Sequence, residues 1–568
     1  MKIKNLVDFR PKFFDTMRNY SREKFVSDLT SGVIVGIVAI PLAIAFGIAS
    51  VGEETGATAG LVTAIFGGLL ISMFGGSKVQ IGGPTGAFIG IIVGVVNNPD
   101  LGLGGLAIAT VMAGIMLVIM GLCRMGSIIK YMPYPIIIGF TGGIAIIIFS
   151  SQIVNLLGMN IVENIPDNFV GQWACYLRNI PNASPWSAVM GVVSIAIIAL
   201  TPKISKKIPG SLLAIVIMTV AAYFLNKYAG AGIRTIGAMP PIGEIFDFGL
   251  ELPEGSIFDT IQKLAPVAFT IAMLGAIESL LSAMVADGVI GDRHNSNTEL
   301  VGQGLANIFV PFIGGIPATG AIARTMTNIN NGGKTPIAGI IHAMVLLLVL
   351  LFLGDVVALI PLPCLAGVLV MVAYNMSGWR TILSMCKSSM SGTGVLFVTL
   401  LLTVFFDLTL AIMVGLVMAI ALFMRRAMQS AHISVMRDEV EVHRDGEKDE
   451  VLTIPSGAEV FEIEGPFFFG IANKFDELTR NTDARQIRII RMRKVTFIDA
   501  TGLHNLEIFL NASRKEGRVV ILSGVHDNVE KALRRAGIVK LVGNENVCDD
   551  IHKALQRAKE VSEQLSLK

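Results

Sequence analysis

Gly82 to Gly90 reads GGPTGAFIG, and Gly314 to Ile322 reads GGIPATGAI. Each stretch sets a proline and several glycines in an apolar region that should otherwise run as an unbroken membrane helix. Pro84 and Pro317 cannot donate to a helix ladder, so each ends one segment, and Thr85-Gly86-Ala87 and Thr319-Gly320-Ala321 then open a half-helix with small residues. The first amides of a helix have no intrahelical acceptor and sit at the positive end of its dipole, so they attract an anion without a lysine. In hydrocarbon an unpaired backbone group costs several kcal/mol, so irregular backbone survives only against protein or a watery cavity. The breaks therefore mark interior positions. Two of them, about half a membrane domain apart, fit an inverted repeat whose broken helices meet near the midplane and hold one anion. Close packing of small residues with a proline kink explains one such stretch more easily than a matched pair. The preceding KVQIG and FIGGIP predict a stub of strand before each half-helix.

Two intramembrane charges accompany the breaks. Glu278, in LGAIESLLSAM, is a carboxylate inside an apolar helix, where ionisable groups are costly enough to suggest function. Ser282 lies one turn later on the same face. Glu278 could carry the proton that offsets anion charge, or accept backbone N–H groups of the tenth span. Arg324, about one turn beyond Thr319 to Ala321, could supply positive potential, touch the anion or pair with an interior acid. His342 reads as a hydrogen-bonded packing residue and Lys334 as a weaker flag. Asp287, Asp292, Arg293 and His294 read as a solvated turn.

The elements that must position these residues follow from composition. The chain has 568 residues, 53% hydrophobic and 15% charged, which makes it a polytopic membrane protein. Spans of ~20 apolar residues are predicted to begin near Leu29, Ala57, Gly82, Leu103, Met132, Pro185, Gly210, Lys263, Glu299, Thr319, Pro336, Pro361, Ser391 and Leu408. Lys and Arg in alternate short loops, PKISKK among them, predict that VGEETG, VENIPDNF and GEIFDFGLELPEG face outward and both termini face the cytoplasm. The N-terminus lacks the features of a signal peptide. A net charge of +2 without a basic stripe argues against nucleic acid, and five cysteines without CxxC spacing indicate neither a disulfide framework nor a metal site. No Ser-His-Asp, zinc or ATP-binding constellation is evident, so neither an enzyme nor a cofactor is expected.

From Val451 the pattern changes to short apolar strands alternating with amphipathic helices, among them IANKFDELTRN and ATGLHNLEIFLNASRKEG. A small sheet covered by helices is expected. The domains read as 1–28, an N-terminal cytoplasmic segment; 29–430, in the membrane; 431–450, a charged linker; and 451–568, in the cytoplasm. In FIDATGL, Asp499 and Thr501 read first as capping residues at a strand-to-helix turn.

Several separated stretches resemble the SulP (sulfate permease) family of anion transporters, whose animal relatives include prestin- and pendrin-type carriers. VAIPLAIAFGIAS and TAGLVTAIFGGLLISMFGGS resemble its first two spans, QIGGPTGAF its third, AIESLLSAMVADG its eighth and GGIPATGAIARTMTNINNGGKTPIAG its tenth. FEIEGPFFFG and FIDATGL resemble landmarks of a STAS (sulfate transporter and anti-sigma factor antagonist) domain. The resemblance implies an α-helical polytopic membrane protein of fourteen transmembrane segments in a 7+7 inverted repeat, followed by a cytoplasmic α/β STAS domain. Spans 1–4 and 8–11 would form a core carrying the anion past a gate of spans 5–7 and 12–14, in an elevator-like movement. It implies substrate contacts at Thr85, Gly86, Ala87, Ala318, Thr319, Gly320 and Ala321, a homodimer, and a phosphosite at Thr501. In a cyanobacterial bicarbonate transporter of the family the Glu278 position is a sodium-binding aspartate; glutamate here puts sodium in doubt. The expected function is secondary transport of a small anion across the inner membrane, with sulfate by proton symport leading, and bicarbonate, a C4-dicarboxylate or exchange following. The rivals are a nucleobase symporter, against which the small Thr-Gly-Ala ends argue, and an anion-sensing anchor that signals through the STAS domain.

Overall fold

The computed structural model describes residues 9–18, 20–129, 133–161, 165–166, 168–204, 209–237, 257–388, 390–406, 408–430, 432–442, 450–468 and 485–566. The chain divides into two compact units, Met1–Ala419 and Ile420–Lys568. GEIFDFGLELPEG and IANKFDELTRN lie outside the described residues, as do parts of VENIPDNF and PKISKK.

In the first unit a short helix α1 (Lys12–Met17) precedes α2 (Arg22–Val51). The helix α2 starts before the expected Leu29 because Ser21 caps it, its hydroxyl accepting from the Lys24 amide. The second span is α3 (Gly56–Val62) and α4 (Gly68–Phe74), joined by a π-helical turn. The strand β1 (Gly82–Gly83), one 3₁₀ turn and α5 (Ile89–Val96) make the third, followed by α6 (Gly102–Leu122), α7 (Gly126–Ile129), α8 (Tyr134–Leu157), α9 (Phe169–Asn179), α10 (Pro185–Ile204) and α11 (Gly210–Ala229). The second half runs α12 (Ile257–Ile290), α13 (Ser296–Phe309), β2 (Thr319–Gly320), α14 (Ile322–Asn330), α15 (Ile337–Phe352), α16 (Gly354–Ala358), α17 (Leu362–Met376), α18 (Trp379–Ser388), α19 (Met390–Phe405) and α20 (Leu408–Ser430). Among the described residues nine helices are long and apolar enough to cross a membrane, and Gly86–Val96, Ile337–Phe352 and Met390–Phe405 are shorter apolar helices.

The packing repeats with an offset of seven spans. The fourth span packs on the ninth (α6 on α13) as the eleventh packs on the second (α15 on α4), and the first on the eleventh (α2 on α15) as the eighth on the fourth (α12 on α6). In the gate, the fifth on the thirteenth (α8 on α19) is matched by the twelfth on the sixth (α17 on α10). An odd number of spans per repeat inverts the second half relative to the first. Small residues allow these approaches: a Cβ on Gly114 would strike the Gly304 carbonyl, and one on Gly304 that of Gly114.

The second unit holds a five-stranded sheet of β3 (His432–Met436), β6 (Ala458–Glu464), β7 (Ile487–Lys494), β8 (Val519–Ser523) and β9 (Val547–Cys548), in that order. The strand β3 is antiparallel to β6, and β6 to β9 are parallel. Beside it, β4 (Glu439–Val442) pairs with β5 (Glu450–Thr453). Helices α21 (Ala500–Lys515), α22 (Asp527–Arg535), α23 (Ile538–Val542) and α24 (Ile551–Ser566) follow the alternating plan. Ile490, Leu522, Leu506 and Leu533 pack on one side, and Ile489, Ile521, Ala554 and Ala558 on the other. Burial on both faces explains why β6 and β7 are almost continuously buried. Segment 431–450 corrects the expectation of a plain linker, because β3 and β4 lie within it and β3 completes the sheet edge. Its charged residues had masked that alternation.

Candidate functional site

The two breaks meet. Gly82 pairs with Gly320 and Gly83 with Thr319 in an antiparallel two-stranded ladder, so each stub satisfies the other's backbone. Gly83 has φ +148°, and a Cβ there would run into the Arg324 guanidinium. Beyond the ladder Thr85 is extended (φ −131°, ψ 159°), a 3₁₀ turn covers Gly86–Phe88, and α5 begins. On the other side Ala321 is the extended cap (φ −97°, ψ 114°) of α14. The leading amides of both half-helices, at Gly86 and Ala87 and at Ile322 and Ala323, thus start from one short ladder.

The tenth-span approach is held on every side. Ile316 N donates to Thr63 Oγ1 (2.7 Å), and Asn307 clamps Ala318 through Oδ1 to its amide (2.9 Å) and Nδ2 to its carbonyl (2.8 Å). Thr319 Oγ1 donates to the Gly275 carbonyl (2.9 Å), and Ala321 N to the Ile81 carbonyl (2.9 Å). Ala318 and Thr319 are fully buried. Of the expected contacts, Ala318 therefore has both backbone groups occupied and Thr319 its hydroxyl.

The third-span side is more open. Thr85 and Glu278 are partly buried, and Thr85 Oγ1 donates to Glu278 Oε2 at 2.8 Å. Glu278 thus reaches the third span, which corrects the expected role as acceptor for tenth-span amides. Ser282 turns to Thr325 Oγ1 (3.2 Å) instead of joining Glu278. A Cβ on Gly86 would meet Ile148 of α8 and Phe46 of α2, so this half-helix begins against a gate helix.

Arg324 is 1% exposed, and Nη2 donates to the Pro84 carbonyl (3.0 Å) while Nη1 has no partner. Pairing with an interior acid is not found among the described residues; instead the guanidinium sits behind the ladder and ties the tenth span to the third-span break. His342 is fully buried and neither ring nitrogen makes a hydrogen bond of normal geometry, contrary to its expected bonding. Among the described residues no group of three His, Cys, Asp or Glu side chains could hold a metal.

Other buried polar groups hold this architecture and were not singled out by sequence. Glu299 accepts from the amides of Gly76 (2.8 Å) and Ser77 (3.2 Å), Ser279 Oγ (2.9 Å) and Gln303 Nε2 (3.0 Å). Asp28 accepts from the amides of Lys334 (2.7 Å) and Thr335 (3.1 Å) and from Tyr20 Oη (3.1 Å). Gln80, Asn307 and Asn328 complete the set. Polar residues within apolar helices, as in NTELVGQGLAN, were the available signal. In the second unit Asp499 caps α21 by accepting from Gly502 N (2.7 Å), whereas Thr501 lies inside the helix and is exposed, so it is not the cap.

Residues 25–399 match the sulfate permease family and residues 451–554 the STAS domain. The chain is 38% identical over 95% of its length, and 98% of the relative's, to "Putative sulfate transporter YvdB" of Bacillus subtilis. It is 30% identical to "Bicarbonate transporter BicA" of Picosynechococcus, over 94% of each chain. The solved transmembrane domain of a cyanobacterial BicA superposes with a TM-score of 0.62 at 32% identity, covering 71% of this chain and 98% of that one. The murine Solute Carrier 26 family member A9 anion transporter, in its inward-facing state, superposes with a TM-score of 0.82 at 18% identity, covering 99% and 95%, and bears out the fold. The two-halved helical unit with its paired breaks, the mixed sheet that follows and these matches converge: the chain belongs to the sulfate permease family of anion transporters and carries a C-terminal STAS domain.

Proposed function

We propose that the protein is a secondary active transporter that moves sulfate with protons across the inner membrane, with both termini in the cytoplasm and an elevator-like displacement of core against gate. The observation that carries this reading is the antiparallel pairing of Gly82–Gly83 with Thr319–Gly320, which starts two half-helices from one point. An anion there would be held by Gly86, Ala87 and the first turn of α14, with the Thr85 hydroxyl beside it and Ala318 to Ala321 as the fixed wall.

The Thr85–Glu278 hydrogen bond gives a route to coupling. As a carboxylate, Glu278 holds the Thr85 proton and repels an incoming anion. Protonated, it loses the negative charge and its demand for that donor, and the hydroxyl can turn to the substrate. Proton and anion then enter together, with the Arg324 charge behind the ladder as a constant positive background.

Proteoliposomes with imposed pH and sodium gradients test this directly, using labelled sulfate, bicarbonate and succinate. Saturable sulfate uptake driven by an acid-outside gradient is the expected result; binding without flux would favour an anion-sensing anchor. Bicarbonate is the second reading, supported by the bicarbonate transporters among the relatives, and the same assay separates the two.

A further inference from the structure

A cavity of about 460 Å³ opens between α1, α7 and the α12–α13 turn, lined by none of the residues of the paired breaks. Three cations, Arg10, Lys12 and Arg293, line it against one carboxylate, Asp15. Lys12 and Arg293 form no ion pair within 4 Å among the described residues. The nearby acid is already engaged: Asp292 meets Lys78 Nζ at 2.6 Å, and that hydrogen bond holds its carboxyl below the usual range, with Lys12 near enough to help hold it low.

The walls are fixed by backbone. Arg10 N donates to Thr298 Oγ1 (3.3 Å), Lys12 N to the Gly75 carbonyl (3.1 Å), Asn295 N to the Gly76 carbonyl (3.0 Å) and Gly126 N to Asn297 Oδ1 (3.0 Å). Cations that would repel one another are therefore kept around a space that lies within the range of small-ligand pockets.

One wall has the geometry of a hydrolase triad. His294 Nδ1 lies 2.7 Å from Asp287 Oδ2 and Nε2 2.9 Å from Ser296 Oγ. His294 and Ser296 are buried, which corrects the expectation of a solvated turn for His294, while Arg293 is exposed as expected. The turn also brings together a set that the spacing did not reveal. Nucleophilic catalysis needs donors for an oxyanion, and the amides of Asn297 and Thr298 both donate to Asn295 Oδ1 (3.1 and 3.2 Å). The three residues brace the turn that displays Arg293.

We propose that this cavity binds a phosphate-bearing ligand, either a soluble phosphate ester or the headgroup of an anionic lipid. Arg10 and Lys12, just before and at the start of α1, face Arg293 of the α12–α13 turn, which suits the several oxygens of a phosphate group, and guanidinium recognises such a group in bidentate fashion. The site would travel with the core and is separate from the transport site.

The test uses the purified full-length chain and its K12Q/R293Q variant. Glycerol 3-phosphate binding is measured by calorimetry, and phosphatidylglycerol against phosphatidylcholine by ligand-induced shift in melting temperature. Binding of either phosphate probe, weakened at least roughly tenfold in the variant, supports the proposal: glycerol 3-phosphate alone identifies a soluble ligand, phosphatidylglycerol alone a lipid. Absence of binding by both probes, or binding undiminished in a variant with an unchanged ligand-free melting temperature, overturns it. If the double variant does not fold, the same outcomes are read from R293Q, whose side chain is exposed.

Discussion

The two helix breaks share a sequence plan but not a mechanical state. On the tenth span, Thr63, Asn307 and Gly275 engage residues 316, 318 and 319, and the Thr319 hydroxyl is sealed in. On the third span, Thr85 is half-buried and its hydroxyl is held by the single carboxylate of Glu278. On the proposed transport reading, one break is scaffold and the other is the responsive element. An anion site built from peptide dipoles needs both, because dipoles attract only while they are held in position, and coupling requires at least one donor that can be released.

The largest expected effect breaks the scaffold. Asn307→Ala leaves the Ala318 amide and carbonyl buried without partners, at about 1–3 kcal/mol each. A large fall in melting temperature and loss of uptake at every pH are expected from thermal unfolding and proteoliposome assays. Thr319→Val removes one buried donor and costs about 1–2 kcal/mol. If both variants unfolded like the wild type, the tenth-span break would not be a clamped scaffold.

The sequence makes the spans and breaks legible because they are local. Prolines 84 and 317 fix where a ladder must stop, and a seven-span offset in hydrophobic segments already implies inversion. The clamp was not legible, because its partners are far apart in the chain: Thr63 reaches Ile316, Gln80 reaches Ser279 and Arg324 reaches Pro84. A local period reports which face of a helix is apolar and does not report which distant carbonyl a threonine will find. The Asp287–His294–Ser296 set is close in sequence but forms only through the geometry of its turn, which residue spacing does not report, and charge density hid strands β3 and β4 inside an apparent linker.

The responsive side gives smaller effects on stability and sharper ones on transport. Thr85→Val removes the hydroxyl of a half-buried residue, so the melting temperature should move little, while KM for the anion rises by about ten- to a hundredfold if a hydrogen bond to a charged group of about 1.5–3 kcal/mol is lost. A KM unchanged from wild type would place the substrate elsewhere.

Glu278→Gln should have the smallest effect on folding and the most specific effect on function, because glutamine keeps an oxygen to accept from Thr85 and removes the titration. Uptake measured with and without an imposed pH gradient is expected to become equal, with saturation by anion retained. Retained gradient dependence would show that another group carries the proton and that the Thr85–Glu278 contact is structural. Thr85→Ser separates the two roles further: it keeps the donor and deletes a methyl, so pH dependence should survive with a modest change in rate. Survival in the serine variant together with loss in the glutamine variant would locate coupling in the movable proton between residues 85 and 278, against a tenth-span wall that stays as it is.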